Sequence, residues 1–212
     1  MKRTKSIKMQ EKNENYINNF LLRGWVEKKE ISLFSLSLTL RIKGRDGNKY
    51  DHPTVISYNV KMNKAIETEI SVGDRIEVYG HLQSAKRLKE PRLILDSYSP
   101  VKYKSRIDAS FAGQPRALDD ENSVMLKATV YNHPYAPNDK ATILNVKTKI
   151  NNYQYFLNIV CFDNNAKKAS GAKIGDSIEA LCHIKTRSID ESAKRHSIIV
   201  QSINIIQTMS VT

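Results

Sequence analysis

The chain has 212 residues, 40% of them hydrophobic and 26% charged, with 34 Lys and Arg against 22 Asp and Glu for a formal net charge of +12. That length holds one large domain or two of about 100 residues. No apolar run reaches the ~18 residues a membrane span needs, and the basic start MKRTKSIKMQEKNEN lacks the apolar stretch of a secretory signal. The surplus charge favours polyanionic partners, nucleic acid before anionic membrane, with simple solubility charge as the alternative. It is uneven: residues 1–105 carry +9 and residues 106–212 carry +3. Cys161 and Cys182 sit in apolar, strand-like runs and read as buried reduced thiols, which suits a cytoplasmic protein.

Residues 1–15 hold five Lys/Arg against two Glu and read as a flexible basic arm. A first domain is expected over residues 16–103. It opens on LLRGWV (21–26), where a period of two sets Leu22, Gly24 and Val26 on one side and Arg23 and Trp25 on the other. In SLSLTLRI (35–42), Leu36, Leu38, Leu40 and Ile42 alternate with polar residues, the mark of a half-buried strand. Arg41 and Lys43 therefore face outward together, with Arg45 in the turn beyond. Tyr50 and His52 precede a third strand, TVISYN (54–59). VKMNKAIETEI (60–70) is a short helix or loop. The Gly-Asp of VGDRIEVYGHL (72–82) supplies a turn before a fourth strand, since Gly relaxes φ and Asp can bond nearby backbone. A basic hairpin, QSAKRLKEPR (83–92), leads into a last strand, RLILDSYS (92–99).

Residues 104–121, with Pro, Gly, Ser and an acidic run, read as a linker, and a second domain is expected over 122–208. It repeats the first. LLRGWV matches MLKATV (125–130), and TVISYN matches NIVCFD (158–163), both at an offset of 104. VGDRIEVYGHL matches IGDSIEALCHI (174–184) at 102, and RLILDSYS matches SIIVQSIN (197–204) at 105. Four blocks in order at nearly constant offset mean two domains rather than a solenoid. Strand, strand, strand, helix, turn, strand, hairpin, strand is the OB arrangement, so the expected fold is all-β: two tandem five-stranded OB-fold barrels joined by a linker.

The opening strand LLRGWV, the third strand TVISY closing on an aromatic, GDRIEVYGHL, the basic hairpin and the final alternating strand together resemble the bacterial and phage single-stranded DNA-binding protein family. The resemblance spans about residues 18–102. It is weaker over 122–207, where Ala128 replaces Gly24 and Cys182 replaces Gly80. The usual bacterial protein has one barrel per chain, assembles four of them and ends in an acidic tail that recruits partners. This sequence carries two copies and ends NIIQTMSVT, so tail-mediated recruitment is not expected. The resemblance implies sequence-tolerant single-stranded DNA binding in replication, recombination or mobile-element transfer. A composition rich in Asn, Lys and Ile suits an AT-rich genome such as that of a phage.

Binding single strands takes cations that track phosphates and aromatics on which bases stack. An OB barrel offers the outward face of its second and third strands. The resemblance puts Tyr58 at the family's base-stacking aromatic and Phe162 at its counterpart. Trp25 beside Arg23 has two readings, a stacking platform next to a phosphate contact or a residue half-buried against the linker or the other barrel. Tyr50 and His52 flank the groove, with Tyr153 and Tyr155 as their counterparts on one face and Phe156 on the other. Tyr131 and Tyr135 belong to the loop after the second copy's opening strand. The cations are Arg41, Lys43, Lys86, Arg87, Lys89 and Arg92 in the first copy, and Lys147, Lys149, Lys185, Arg187, Lys194 and Arg195 in the second.

Other chemistry is not legible. GAKIGDS (171–177) lacks the Gly-Lys-Ser/Thr of a phosphate loop. There is no C-x-x-C or G-x-S-x-G, the five His are scattered, and adjacent Cys182 and His183 point to opposite strand faces. No enzyme, metal or cofactor is expected. The expected partner is single-stranded DNA, with RNA and replication or recombination proteins as further candidates, no membrane, and a monomeric or homodimeric state. Two alternatives stay open: a replication-restart or partner-binding protein with one barrel as interaction module, and an RNA-binding OB protein.

Overall fold

A computed structural model describes residues 16–44, 49–84, 90–101, 120–188 and 194–207. The basic arm, Arg45, the hairpin cations Lys86, Arg87 and Lys89, and all but the last two residues of the expected linker lie outside these. The first half of the chain forms β1 (Ile17–Ile31), β2 (Leu36–Lys43), β3 (Tyr50–Asp51), β4 (Thr54–Ser57), α1 (Val60–Glu69), β5 (Arg75–Gln83) and β6 (Arg92–Pro100). The second forms β7 (Glu121–Val130), β8 (Tyr135–Asn138), β9 (Ala141–Ile150), β10 (Tyr153–Phe162), α2 (Asp163–Ser170), β11 (Ser177–Ser188) and β12 (Lys194–Ile206).

The strand pairings close into a ring in each half. β1 pairs with β2, β2 with β4, β4 in parallel with β6, β6 with β5, and β5 again with β1. β7, β9, β10, β12 and β11 close in the same order, with β10–β12 as the parallel pair. A helix follows the third strand in both halves, so the all-β OB arrangement is present as expected. Pro53 cuts the first half's third strand into β3 and β4, because proline has no N–H to give the ladder. With Leu157 at the matching place, β10 runs unbroken.

The sequence repeat is also a repeat of register. The parallel pair Val55–Leu93 maps onto Ile159–Ile198 at offsets of 104 and 105, the offsets of the aligned blocks. The turns repeat as well. Gly73 and Gly175 adopt φ of +93° and +94°, which only glycine adopts without strain. Each following aspartate accepts a backbone N–H with its carboxylate: Asp74 from Ser71 at 2.7 Å and Asp176 from Lys173 at 2.8 Å. The carbonyls of the same two residues accept from Val26 and Val130, tying each turn to the opening strand of its own ring.

Alternation fills both interiors. Leu22, Val26, Leu36, Leu38, Leu40, Ile42, Ile76 and Val78 are buried in the first half, and Leu126, Val130, Leu144, Val146, Ile159 and Ile178 in the second. Ile66 of α1 and Ala166 and Ala169 of α2 are buried as well. Cys161 and Cys182 are buried and free. Among the described residues no helix is long and apolar enough to cross a membrane.

The two halves are also joined through their strands and side chains. β1 and β7 pair antiparallel from Ile17–Lys127 to Arg23–Glu121, merging all strands into one twelve-stranded sheet. Buried Asp51 accepts the Thr186 N–H at 3.1 Å and lies 3.5 Å from Lys185 Nζ. The Thr54 N–H donates to His196 Nε2 at 3.4 Å, and Arg195 Nε donates to Glu90 Oε1 at 2.5 Å.

Candidate nucleic-acid interface

In the first half one outward face gathers five of the expected residues, Arg41, Lys43, Tyr50, His52 and Tyr58. β2 turns Leu36, Leu38, Leu40 and Ile42 inward, so Ser37, Thr39, Arg41 and Lys43 share the opposite face, where Arg41 and Lys43 are exposed and Thr39 is covered. Lys43 pairs with Tyr50, and the same register carries His52, Thr54, Ile56 and Tyr58 onto this face. Arg41 lies over the Tyr50 ring, its guanidinium carbon 5.3 Å from the centroid. Tyr50 and Tyr58 are each 51% exposed, so neither is a core aromatic. His52 Nδ1 lies 2.7 Å from Glu27 Oε2, which orients the imidazole at the edge of the face. Exposed cations and flat rings on one sheet surface are what phosphate tracking and base stacking require.

The second half presents the equivalent face with one correction. Lys147 pairs with Phe156 and Lys149 with Gln154, while Leu157, Ile159 and Cys161 point inward. Phe156, Asn158, Val160 and Phe162 therefore face outward beside Lys147 and Lys149. The 104-residue offset of this strand makes Phe156, not Tyr155, the counterpart of His52, and Gln154 that of Tyr50. Matching Tyr153 and Tyr155 to Tyr50 and His52 slips the register by one residue, and a one-residue slip moves every side chain to the other face. Phe156 is thus the aromatic absent from the sequence-based set. The TVISYN–NIVCFD offset, carried upstream, was the signal for it. Tyr131 meets Phe156 edge-on at 4.8 Å between centroids. Tyr135 is exposed on the short edge strand β8, and Phe162 is 39% exposed.

Tyr155 belongs to the seam between the halves instead. Its ring lies 6.2 Å from that of His81. Burial first, then the neighbouring Tyr153 and Asp96, holds its phenol above the usual range. Tyr153 is exposed at the end of β10. Lys185 is engaged by Asp51 across the seam, and Arg187 is exposed near the end of β11. Arg92 is exposed and lines a cleft of about 360 Å³ with Thr54, Ile56, Glu90, Pro91, Leu93 and His196. The cleft opens on the outward face of β4, where His196 of β12 comes alongside the first half.

Arg23 and Trp25 are placed differently from Arg41. Both point outward on β1, as their alternation predicts. Arg23 Nε and Nη2 donate to Glu77 Oε2, the former at 2.7 Å, and Tyr79 Oη donates to Glu77 Oε1 at 2.8 Å. That bond to Glu77, more than burial, raises the Tyr79 phenol pKa. Lys127 and Glu179 form the corresponding pair in the second half at 3.3 Å. Trp25 is half-buried, with Arg75 5.6 Å from its ring centroid. Arg75 in turn donates to Asp120 Oδ1 at 2.6 Å, and Asp120 Oδ2 accepts the Lys43 N–H at 2.7 Å. Of the two readings of Trp25, the half-buried one describes its position: it lies beneath an ion pair made by the end of the linker.

The closed rings, the helix position and the parallel strand pair define an OB fold of the kind found in single-stranded DNA-binding proteins. Two solved structures are similar over nearly the whole chain. One is the wild-type single-stranded DNA binding protein from Thermus aquaticus, 15% identical, covering 93% of this chain and 97% of that one with a TM-score of 0.62. The other is a deletion mutant of the same protein, also 15% identical, covering 92% and 96% with a TM-score of 0.62. No protein-family model and no curated protein sequence matches the chain.

Proposed function

We propose that this chain binds single-stranded DNA with little sequence preference, using two OB domains over about residues 16–103 and 122–208, in replication, recombination or mobile-element transfer, and without catalysis. The observation that carries this reading is the repeated outward face: Arg41, Lys43, Tyr50 and Tyr58 in one half, Lys147, Lys149, Phe156 and Phe162 in the other. Stacking on aromatics is sequence-tolerant because every base has a π-face, and the cations supply a salt-dependent phosphate term. The similarity in fold to a single-stranded DNA-binding protein supports the same reading. The test is a titration at low salt against single-stranded DNA, duplex DNA and RNA of equal length. Preference for single-stranded DNA with a steep loss on adding salt is expected. Preference for RNA would reassign the ligand, and no binding at low salt would sink the reading.

The same reading takes the chain as a homodimer. The outward side of β5, β1, β7 and β11 carries Leu21, Tyr79, Met125 and Leu181, the last three 45%, 57% and 40% exposed. The Arg23–Glu77 and Lys127–Glu179 pairs flank this apolar centre. An apolar centre framed by charges that are already paired is a surface a second copy of the same patch can cover, as an isologous contact does.

A further inference from the structure

Leu33 and Phe34 form the tip of the β1–β2 hairpin, 85% and 75% exposed, more than any other large apolar side chain among the described residues. A turn there needs no apolar residue, and a flexible apolar tip would fold back on its own surface. This one is braced. The Ser32 N–H donates to the Ser35 carbonyl at 2.8 Å, the Ser35 N–H donates to Ser32 Oγ at 3.1 Å, and the two hydroxyls lie 2.8 Å apart. Lower on the stem, Lys29 Nζ donates to the carbonyls of Glu67 and Ile70 at the end of α1, at 2.9 and 2.6 Å. Preorganisation of this kind lowers the ordering cost of covering the tip.

The tip lies at the end of the face described above. Leu36 pairs with Ser57, so the hairpin ends beside exposed Tyr58 and Val60. At ~3.3 Å per residue, Phe34 stands roughly 20–25 Å beyond Arg41 along β2. Lys61 is exposed just past Val60. Of the two acidic residues of the stem, Glu30 is paired with Lys28 at 2.7 Å and Glu27 lies 2.7 Å from His52, which offsets their repulsion for phosphate. Leu33 is not a flat platform for one base. A Leu-Phe pair is the chemistry of an apolar wedge, which packs against an opened base step.

Resting on the single-strand reading, we propose that Leu33 and Phe34 pack as a wedge against the terminal base pair where the bound strand runs into duplex, so that the chain recognises single-strand–duplex junctions. The strand tracks Arg41, Lys43 and Tyr58, and the wedge meets the helix end at the limit of that track. Because the track has a direction, one tail polarity is preferred over the other.

The experiment measures affinity for a single strand, the same strand continuing into duplex with either polarity, and blunt duplex. It uses wild type and the Leu33→Ser/Phe34→Ser double variant, with circular dichroism to confirm folding. Wild type should bind one tailed duplex about tenfold tighter than the free strand, the size of one stacked base. The double variant should lose that advantage and keep its free-strand affinity. Equal wild-type binding to free and tailed strands overturns the proposal and leaves the single-strand reading intact. Equal loss on both ligands in the variant also overturns it, since the tip would then be an ordinary stacking residue, as does a change confined to the oligomeric mass. Failure of wild type to bind any strand removes both readings.

Discussion

Phe20 and Val124 face each other at the centre of the β1–β7 ladder, and they occupy the same position of the repeat, 104 residues apart. The approximate two-fold axis of the molecule passes between them. Each also pairs with the strand behind it, Phe20 with Gly80 and Val124 with Cys182. The two pairs divide similar space differently: a large ring against no side chain in one half, a small side chain against a thiol in the other. A Cβ on Gly80 would lie 2.4 Å from Phe20 Cζ and 1.9 Å from the Ile94 carbonyl oxygen.

Gly80→Ala should therefore destabilise the chain by about 1–3 kcal/mol or more in urea unfolding, the cost of overpacking a closed core. Adding Phe20→Val should recover the part due to the ring and not the part due to the Ile94 carbonyl. A Gly80→Ala protein as stable as wild type would contradict this account of the glycine.

Arg41 and Arg23 should behave in opposite ways. Single-strand binding loses about 0.7 in the slope of log affinity against log salt for each phosphate contact removed, so Arg41→Ala/Lys43→Ala should flatten the slope by about 1.4. Arg23→Ala should leave the slope unchanged, because Glu77 already takes that guanidinium, and lower stability by about 1–2 kcal/mol through the lost charged hydrogen bonds. A fall in salt slope with Arg23→Ala would return it to the interface.

Phe156→Ala should weaken binding more than Tyr153→Ala. Stacking on one base is worth ~1–3 kcal/mol, so the Phe156 variant should lose about tenfold. Tyr153, on the other parity of β10, should change affinity little. Fluorescence anisotropy on the folded variants decides between the two registers, and the reverse ranking would favour the Tyr153–Tyr155 assignment.

The limits of the sequence show at these positions. The interior was legible because it rests on alternation: Leu36, Leu38, Leu40 and Ile42 could share only one side of a strand. The turns were legible because Gly73 and Gly175 need positive φ. Phe156 was not assigned although the 104-residue offset points to it, since a stretch as rich in aromatics as NNYQYF by itself fits either register, and the pairing with β9 fixes which one holds. The roles of Arg23, Lys185 and Trp25 depend on Glu77, Asp51 and Arg75. These partners are 50 to 134 residues away, Arg75 being itself held by Asp120, and no local pattern in the chain announces them. The β1–β7 ladder was hidden for the same reason: pairing between two copies of a repeat leaves no signal in either copy.

The apolar patch on the β5–β1–β7–β11 face makes a prediction about mass. Leu181→Arg should place a repelling pair of cations, one from each copy, and their desolvation cost at the two-fold contact. Light scattering should report a dimer for wild type and a monomer for the variant, with melting behaviour of the monomer retained. A wild-type monomer at all concentrations would remove the homodimer reading.

The thiols give a prediction that needs no ligand. Burial pushes the Cys161 thiol up to about 12, and burial reinforced by nearby Cys161 pushes the Cys182 thiol up as well. An unfolded cysteine ionises near ~8.5. As pH rises past that value the unfolded chain gives up these protons first and the folded chain keeps them, so the unfolded state binds fewer protons and stability falls with pH. The decline should begin near ~8.5, below the range in which tyrosines titrate. Iodoacetamide should leave both cysteines unmodified in the native protein and label both in denaturant, because the thiolate is the nucleophile. The Cys161→Ala/Cys182→Ala double variant should show a flatter decline in melting temperature between about pH 8.5 and 10. Rapid labelling of native protein, or an unchanged alkaline slope in the double variant, would show that the two side chains are reached by solvent.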